Sequence, residues 1–514
     1  MTGFMSPRDL VRRGAERHGA RLAVTSPDVN LTYRELAGRT ARIADILKRT
    51  GVGPGIQVAI MLSNCPEFPI WYFGVFEAGG IAVSLPLTQT LAETEDLLKT
   101  AGISFLVASD ESALPRGIGF NPAASPGAAR GTTLWRVDRD PAKLATTPWT
   151  PQGYLQRQFS SGSTGRPKHI MRSEFSTFAF SRAACETTDL REGERFLVVA
   201  SLGQTLGISC LMTAFYLGGS VALAPRFLPP HIIDLARRFK PTVLRMTPPM
   251  VETLATCLIE DGDERAFESL KHCECCTGML SKAAHDAFLR RYGISVHPHY
   301  ATSECRSGTI DLEDDFEEGR VGRPFSGTTV KILDEAGKPC PTGAPGDIAI
   351  RSPAAADHYI DDPEATARTF RDGYVVPGDR GYLDDQGRLH VLGRSDIINI
   401  GGSKVDRLEV ERVIRDALPV TDVVVMEGRR AGSPAIRAVI EGDPAVVTRA
   451  SVIAACRAKL SAYKVPAQVQ VVEKFDRDAN GKALKSFFEG LTPDEPPIDA
   501  QRLDAPDAPD GENN

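Results

Sequence analysis

Apolar segments with the length and pattern of strands and helices alternate along the first hundred residues, and this alternation limits the fold more than any other feature. Residues 57–62 predict a buried strand, 68–78 a helix, 81–85 a strand, 91–99 a helix and 105–108 a strand. Strands that alternate with helices favour βαβ units around a mainly parallel sheet. We therefore predict an α/β fold, with a large N-terminal domain of layered sheets and helices.

The composition and the hydrophobic periodicity of the sequence change twice further along the chain. Residues 114–151 are rich in Pro, Gly, Ala and Thr and show little periodicity, which predicts a long surface connection. After about Gly393 the patterns predict a compact α+β unit, with helices over 410–418 and 451–460 and strands over 422–426, 435–440 and 468–472. We predict an N-terminal core of residues 1–394, a smaller mobile C-terminal domain of residues 395–490, and a disordered acidic, Pro-rich tail of residues 491–514.

Composition excludes several classes of protein. The 514 residues include 60 Lys and Arg against 66 Asp and Glu, a net charge of −6, which argues against a nucleic-acid binder with a basic face. The ten cysteines are scattered without the spacing of a disulfide framework, and no apolar signal segment opens the chain, so we expect a cytoplasmic protein. Residues 197–225 lack charge, but their glycines and hydroxyls predict a buried strand–loop–helix–strand rather than a membrane span.

The segment SSGSTGRPK, Ser160–Lys168, is the strongest chemical signal. Its small residues let successive backbone N–H groups converge on an anion, the hydroxyls add donors, and Lys168 supplies a mobile positive charge for phosphate oxygens. The spacing is not that of a Walker motif. Such compositions also occur in flexible surface loops, so the segment alone leaves both interpretations open.

A second signal is YATSE, Tyr300–Glu304, which follows a strand-like segment at residues 294–299. A carboxylate after a strand is well placed to hold Mg²⁺ beside a polyphosphate, although an ordinary strand-end turn has the same appearance. His297 and His299 alternate within the strand, and we interpret them as hydrogen-bonded, partly buried side chains rather than as a metal pair.

Two further segments are weak indicators of function when each is taken alone. Residues 377–411 contain Asp379 after a Pro-Gly turn, and Arg394 and Asp396 at the predicted boundary between the two domains. Residues 480–482 are Asn-Gly-Lys. Each charged residue alone would be interpreted as a solvated surface group. In this order and spacing, however, the four segments resemble the adenylate-forming superfamily, which comprises acyl- and aryl-CoA synthetases, luciferases and the adenylation domains of peptide synthetases. The resemblance extends from about residue 31 to about residue 485.

The resemblance implies a reaction. A carboxylic acid is activated by ATP as acyl-AMP with release of pyrophosphate, and the acyl group then passes to the thiol of CoA. It also implies ATP, Mg²⁺ and CoA as cofactors and cosubstrates, and a small carboxylic acid as substrate. A carrier-protein phosphopantetheine could replace CoA as the acceptor. The same segments are compatible with an atypical member that activates another oxyanion such as nitrite or uses an amine acceptor, and with a nucleotide-binding pseudoenzyme.

The resemblance further implies roles for individual residues. The β- and γ-phosphates of ATP would be held by Ser160, Ser161, Gly162, Ser163, Thr164, Gly165 and Lys168. Tyr300 would stack on adenine, Ser303 would contact the α-phosphate, and Glu304 would hold Mg²⁺. Asp379 would bind the ribose hydroxyls with Arg394 nearby. In the C-terminal part, Asp396 resembles the hinge, Lys482 the lysine that bridges carboxylate and α-phosphate, and Gly401 and Gly402 the lining of the pantetheine tunnel.

The predicted acid pocket departs from the family pattern. Gln204 and Leu206 stand where many members have a histidine and an aromatic residue, and no aspartate between residues 197 and 225 could pair with an α-amino group. The predicted walls are mostly apolar or small, which favours an aryl or medium acyl acid over a charged one: Phe178, Gln204, Leu206, Gly207, Cys276, Gly278, Met279, Tyr300 and Ala301. Cys273, Cys275 and Cys276 lack a second ligand pair, so we interpret them as small buried hydrophobes rather than zinc ligands.

Overall fold

The structure is a computed structural model that describes residues 5–87, 91–109, 114–124, 129–137, 153–160, 168–360, 362–394, 397–400, 403–430, 433–460, 462–478 and 483–491. Contacts between residues divide the chain into two compact units, Met1–Leu392 and Gly393–Asn514. In the described part of the chain, no helix combines the length and the apolar character needed to cross a membrane.

The first sheet contains the strands predicted between residues 57 and 108. The elements up to residue 173 are α1 (Leu10–His18), β1 (Leu22–Thr25), β2 (Asn30–Thr32), α2 (Tyr33–Arg49), β3 (Gln57–Met61), α3 (Glu67–Glu77), β4 (Ile81–Ser84), α4 (Leu91–Thr100), β5 (Phe105–Ala108), β6 (Phe120–Ala124), β7 (Thr133–Val137), β8 (Tyr154–Ser160) and β9 (Lys168–Ser173). Strands β1 and β2 belong to the second sheet, and β3 to β9 belong to the first. Strand β3 pairs in parallel with β4 and β5, and β4 pairs in parallel with β8. Every residue of β3 and β4 is buried, as expected of strands covered on both faces. The predicted strands and helices of residues 57–108 are therefore confirmed.

The prediction of a long surface connection over residues 114–151 was wrong in part, because the stretch contains two strands. Strand β7 pairs antiparallel with β5, and β6 pairs antiparallel with β7, so both extend the first sheet at its edge. Trp135 and Val137 are buried by this pairing. Local periodicity did not reveal these strands because Pro and Gly punctuate the stretch and the pairing is tertiary. Residues 138–152 lie outside the described residues.

The second sheet follows in sequence. Its elements are α5 (Glu174–Thr187), β10 (Arg195–Val198), α6 (Thr205–Tyr216), β11 (Ser220–Leu223), α7 (Pro229–Phe239), β12 (Val243–Met246), α8 (Pro248–Thr256), β13 (His272–Cys275), α9 (Lys282–Tyr292), β14 (His297–Tyr300), β15 (Thr309–Ile310), β16 (Arg320–Pro324), β17 (Thr329–Leu333), β18 (Gly346–Arg351), β19 (Tyr359–Ile360), α10 (Pro363–Thr369), β20 (Phe370–Arg371), β21 (Tyr374–Val375), β22 (Asp379–Leu383) and β23 (Leu389–Arg394). The uncharged stretch 197–225 forms strand, helix and strand, as predicted. Strand β19 does not join this sheet but pairs with β9 at the edge of the first.

The direction of pairing changes within the second sheet, and this change positions the site. Strands β1, β11, β10, β12, β13 and β14 lie side by side in parallel. Strand β15 then pairs antiparallel with β14, and the antiparallel pairing continues through β16 and β23. Residues 301–308, which contain Glu304, connect the last parallel strand to the first antiparallel one. Segments that follow the carboxyl ends of neighbouring parallel strands meet at one edge of a sheet, the usual place for ligands in open α/β sheets.

The second unit is an α+β domain, as predicted. Its elements are β24 (Ile397–Ile400), β25 (Ser403–Asp406), α11 (Arg407–Ala417), β26 (Asp422–Arg430), β27 (Ser433–Glu441), α12 (Arg449–Lys459), β28 (Gln468–Val472) and α13 (Lys485–Gly490). Strand β27 lies between β26 and β28, antiparallel to the first and parallel to the second. Val410 and Ile414 of α11 pack with Val452 and Cys456 of α12 in its core. The antiparallel pair β24–β25 was not predicted.

Candidate active site

A hairpin in the first sheet aligns the two ends of the Ser- and Gly-rich segment. Strands β8 and β9 pair antiparallel, and Ser160 is the register partner of Lys168. The pairing therefore holds the first residue of the segment, Ser160, directly opposite its last, Lys168. Residues 161–167, which include Ser161, Gly162, Ser163, Thr164 and Gly165, lie outside the described residues, so their role as a phosphate-binding loop remains a prediction.

Tyr359 brings the lysine and the predicted metal ligand together. Its hydroxyl donates to Glu304 Oε1 at 2.6 Å, and Lys168 Nζ lies 4.7 Å from the centre of its ring. Glu304 is 5% exposed, and its backbone carbonyl accepts a hydrogen bond of 2.8 Å from the N–H of Ala356. Two motifs far apart in sequence thus converge on a single aromatic side chain, because β19 pairs with β9. Sequence reasoning missed Tyr359, since no local motif marks it.

The turn that contains Ser303 is held by a buried arginine from β9. Arg172 donates to the backbone carbonyl of Ser303, and to that of Ala354 at 2.6 Å. It is completely buried, and burial lowers the pKa of its guanidinium to about 9, with a further lowering from the charge of Arg306. The guanidinium stays charged at neutral pH and holds the Ser303–Glu304 backbone against the hairpin of β8 and β9. Arg172 was also missed from the sequence.

Tyr300 and Asp379, predicted separately as adenine and ribose contacts, are bonded to each other. The Tyr300 hydroxyl donates to Asp379 Oδ2 at 2.7 Å. Burial, and then the negative charge of Asp379, raise the pKa of Tyr300 well above its ordinary value, so the phenol remains a donor. Tyr300 ends β14 and Asp379 begins β22, so the pair joins the parallel and antiparallel parts of the second sheet.

Seven of the nine predicted pocket walls follow the carboxyl ends of three parallel strands, whereas Phe178 lies on α5 and Tyr300 ends β14. Gln204, Leu206 and Gly207 follow β10, Cys276, Gly278 and Met279 follow β13, and Ala301 follows β14. A Cβ on Gly207 would lie 2.3 Å from the carbonyl oxygen of Ser201, so the backbone of that turn admits only glycine. Cys276 is buried, Gln204 and Leu206 are half-buried, and Met279 is 50% exposed. The topology therefore places these residues at one edge of the sheet.

The cysteine cluster adjoins a buried ion pair. Arg245 Nε lies 3.0 Å from Glu274 Oε2, and both side chains are almost completely buried. His299 Nδ1 lies 3.2 Å from the same carboxylate and 3.5 Å from Cys276 Sγ. Potential ligand atoms of Glu274, Cys276 and His299 lie within 4.8 Å of one another. The charge of Arg245 already neutralises the carboxylate that a cation would need, so the geometry favours a structural ion-pair network.

The cysteine thiols and His297 are also explained by structural roles rather than by metal binding. Cys273 and Cys275 pack in the core beside β12, and burial raises the pKa of Cys276 well above its ordinary value, so this thiol is protonated at neutral pH. His297 Nδ1 lies 2.9 Å from the carbonyl oxygen of Asp311. Both histidines thus have hydrogen-bond partners.

Several predicted residues of the C-terminal part cannot be placed. Asp396, Gly401, Gly402 and Lys482 lie outside the described residues, and of Arg394 only the backbone at the end of β23 is described. Their roles as hinge, tunnel lining, bridging lysine and ribose contact therefore remain predictions.

An α/β fold that gathers a lysine, a buried carboxylate and small residues at strand ends is typical of enzymes that use nucleotides. A model of the AMP-binding enzyme family matches residues 11–360, and the chain belongs to this family. It is 28% identical over 476 residues to a feruloyl-CoA synthase of Amycolatopsis sp., covering 90% of this chain and 94% of the relative. It is 27% identical over 478 residues to a 3-hydroxybenzoate–CoA ligase of Aromatoleum sp. (strain CIB), covering 89% and 90%. The fold matches ATP-bound MatB from Rhodopseudomonas palustris with a TM-score of 0.78 and 24% identity, over 94% of this chain and 98% of that one.

Proposed function

We propose that the protein activates an aryl or medium acyl carboxylic acid with ATP, forming acyl-AMP and pyrophosphate, and then transfers the acyl group to the thiol of CoA. The observation that carries this proposal is the convergence of Lys168 and Glu304 on Tyr359 in a member of the AMP-binding enzyme family. Relatives named as CoA ligases, matched over about nine-tenths of the chain, support the choice of CoA. All ten cysteines are free thiols, which supports a reducing, cytoplasmic location.

The first half-reaction must overcome charge repulsion. A carboxylate oxygen attacks the α-phosphorus of ATP, and pyrophosphate leaves with the bonding electron pair. An anion therefore approaches a polyanion, and the protein has to offset the repulsion with positive charge placed in advance. Lys168 lies at the end of the predicted phosphate loop. Lys482, predicted from the family resemblance, would bridge the acid and the α-phosphate.

Glu304 fits the requirements of a Mg²⁺ ligand. Mg²⁺ binds carboxylate oxygens and usually keeps several waters. Tyr359 donates to one carboxylate oxygen of Glu304, Oε1, and hydrogen bonds of this kind orient a ligating carboxylate. When bound, the ion would neutralise charge on the phosphates. We expect Glu304 to hold it and Ser303 to contact the α-phosphate from the same turn, which Arg172 holds in place.

The second half-reaction needs a different arrangement. The thiol sulfur of CoA attacks the carbonyl carbon, the C–O bond to AMP breaks, and the thiol proton passes to solvent. We propose that the C-terminal domain, residues 395–490, turns about Asp396, withdraws Lys482 and presents Gly401 and Gly402 to the pantetheine arm. A hinge of this kind would let one site carry out both steps.

Product analysis tests the proposal and identifies the acceptor. The enzyme is incubated with ATP, Mg²⁺ and a panel of aryl and medium acyl acids, and acyl-AMP, acyl-CoA and AMP are measured by mass spectrometry with and without CoA. We expect acyl-AMP without CoA and one AMP for each acyl-CoA with it. A phosphopantetheinyl carrier protein or an amine that replaces CoA as acceptor would contradict the choice of CoA. The Lys482→Ala variant should lose adenylation but convert supplied acyl-AMP to acyl-CoA, and equal loss of both steps would contradict the two-arrangement account.

A further inference from the structure

Arg306 is a buried cation without a partner in the described part of the chain. It lies two residues beyond Glu304 in the turn after β14, where its backbone N–H donates to the carbonyl of Thr302 at 2.8 Å. The residue is 2% exposed, and none of its three guanidinium nitrogens has a hydrogen-bond partner among the described residues. The ring of Phe180 lies 5.5 Å from the guanidinium carbon, so one face of the cation rests on an aromatic ring.

Such an arrangement is energetically costly for the protein by itself. An arginine buried without an acceptor loses its hydration and gains little in return, so native structures almost always pair it. An arginine keeps its charge at neutral pH in the interior of a protein, so Arg306 remains a cation. A buried positive charge with no anion beside it among the described residues indicates that a ligand supplies the anion.

The surroundings of Arg306 offer further unused polar groups. The hydroxyl of Tyr72 on α3 is buried and lacks a partner among the described residues. Burial raises the pKa of Tyr72, and the charge of Arg306 offsets part of that rise. The buried hydroxyl of Thr177, one helical turn before Phe180 on α5, also lacks a described partner. The charge of Arg306 also lowers the pKa of Arg172, whose own hydrogen bonds go to carbonyl groups. The region therefore combines positive charge with hydroxyl donors.

We propose that Arg306, together with the hydroxyl of Tyr72, binds a second anionic group of the acid substrate, a carboxylate other than the one that is adenylated. This inference rests on the proposed function and narrows its substrate to a dicarboxylic acid. A planar guanidinium matches a carboxylate through two parallel hydrogen bonds. The reacting carboxylate is a poor partner for Arg306, because it loses its charge when acyl-AMP forms and the arginine would then be unpaired. A second carboxylate stays charged through both half-reactions.

The proposal changes the expectation drawn from the sequence. The predicted walls favoured an uncharged aryl or medium acyl chain, but Arg306 was absent from that set because its burial depends on α3 and α5, which lie far away in sequence. Its position two residues from Glu304 places it beside the predicted phosphate and metal contacts, at the edge of the sheet where the acid is expected.

Matched acids test the proposal. ATP–pyrophosphate exchange is measured with adipate against hexanoate and with isophthalate against benzoate, for the wild-type enzyme, Arg306→Met and Arg306→Lys. We expect the wild-type kcat/KM to favour the diacid of at least one pair by 100-fold or more. Arg306→Met should remove this preference while keeping exchange with the monoacid, and Arg306→Lys should restore part of it.

The outcomes separate this inference from the proposed function. Exchange with the monoacids at equal or higher efficiency than with the diacids, or a diacid preference that survives in Arg306→Met, would overturn the inference alone. No exchange with any acid would overturn the proposed function and the inference with it.

Thermal unfolding without ligand gives an independent readout. Arg306→Met should raise the melting temperature, because it removes an unpaired buried charge next to an apolar cluster that includes Phe180 and Ala354. The matched control is Arg320→Met. Arg320 is equally buried but bonds Asp311 at 2.7 Å, so its loss strands a carboxylate and should lower the melting temperature. A fall in both variants would show that Arg306 serves the fold and would overturn the inference.

Discussion

Replacing Tyr359 by phenylalanine tests how the site holds its predicted metal ligand. The change removes one hydroxyl, which donates to Glu304 Oε1 at 2.6 Å, and keeps the ring that Lys168 faces at 4.7 Å. The ring also packs edge-on against Phe370 at 5.2 Å, so the packing is retained. The substitution therefore removes the hydrogen bond to Glu304 and keeps the ring contacts with Lys168 and Phe370.

The size of the effect follows from the type of hydrogen bond. A buried hydrogen bond to a carboxylate contributes about 1.5–3 kcal/mol, which is roughly a 10- to 150-fold change in an equilibrium constant. Partners that orient a ligating carboxylate typically change metal affinity by about 10- to 100-fold when removed. We therefore expect Tyr359→Phe to raise the Mg²⁺ concentration for half-maximal activity about tenfold or more, with the KM for the acid nearly unchanged.

The assay is acid-dependent ATP–pyrophosphate exchange as a function of free Mg²⁺ at constant ATP. Tyr374→Phe is the control, because the Tyr374 ring faces Lys331 and Arg351 instead of the site. Its Mg²⁺ dependence should match that of the wild type. A Tyr359→Phe enzyme with wild-type Mg²⁺ dependence would refute the idea that Tyr359 positions a metal ligand.

Two further predictions concern buried charge. Arg245→Leu or Glu274→Leu alone should lower the free energy of unfolding by about 3–5 kcal/mol, because each leaves the other charge unpaired, whereas the double variant should lie within about 1 kcal/mol of the wild type. Urea unfolding measures this, and additive losses would contradict it. Burial raises the pKa of Glu77 to about 7. The protonated side chain therefore contributes to the free energy of unfolding in full below the ordinary pKa of a glutamate, and this contribution is lost as the pH rises through 7. Glu77→Gln should therefore gain about 1–2 kcal/mol over the wild type at pH 8, after allowance for partial exposure, and nothing at pH 4. An equal difference at both pH values in thermal unfolding would rule out titration of Glu77 as the cause.

Sequence patterns predicted the parts of the fold that local burial determines. Strand β3 and helix α3 are apolar almost throughout, so composition alone located them. Strand β7 was missed because its stability comes from pairing with β5, a contact that no local pattern records. The β24–β25 pair was missed for the same reason.

Some residues of the candidate site could also be predicted from local sequence, and others could not. Lys168 and Glu304 belong to short motifs whose residue types suit phosphate and Mg²⁺, so they could be proposed from the sequence. Tyr359, Arg172 and Arg306 have no such motif, and their importance arises only when β9, β19 and the turn after β14 come together. Residues of this kind require a structure.

We propose that this chain adenylates a carboxylic acid at the site around Glu304. The most direct test is ATP–pyrophosphate exchange without CoA, with the acid present or absent, for the wild type and Glu304→Ala. We expect exchange that requires both an acid and Mg²⁺ in the wild type and that falls by at least 100-fold in the variant. Measurable ATP binding with no exchange for any acid, or full exchange in Glu304→Ala, would contradict it.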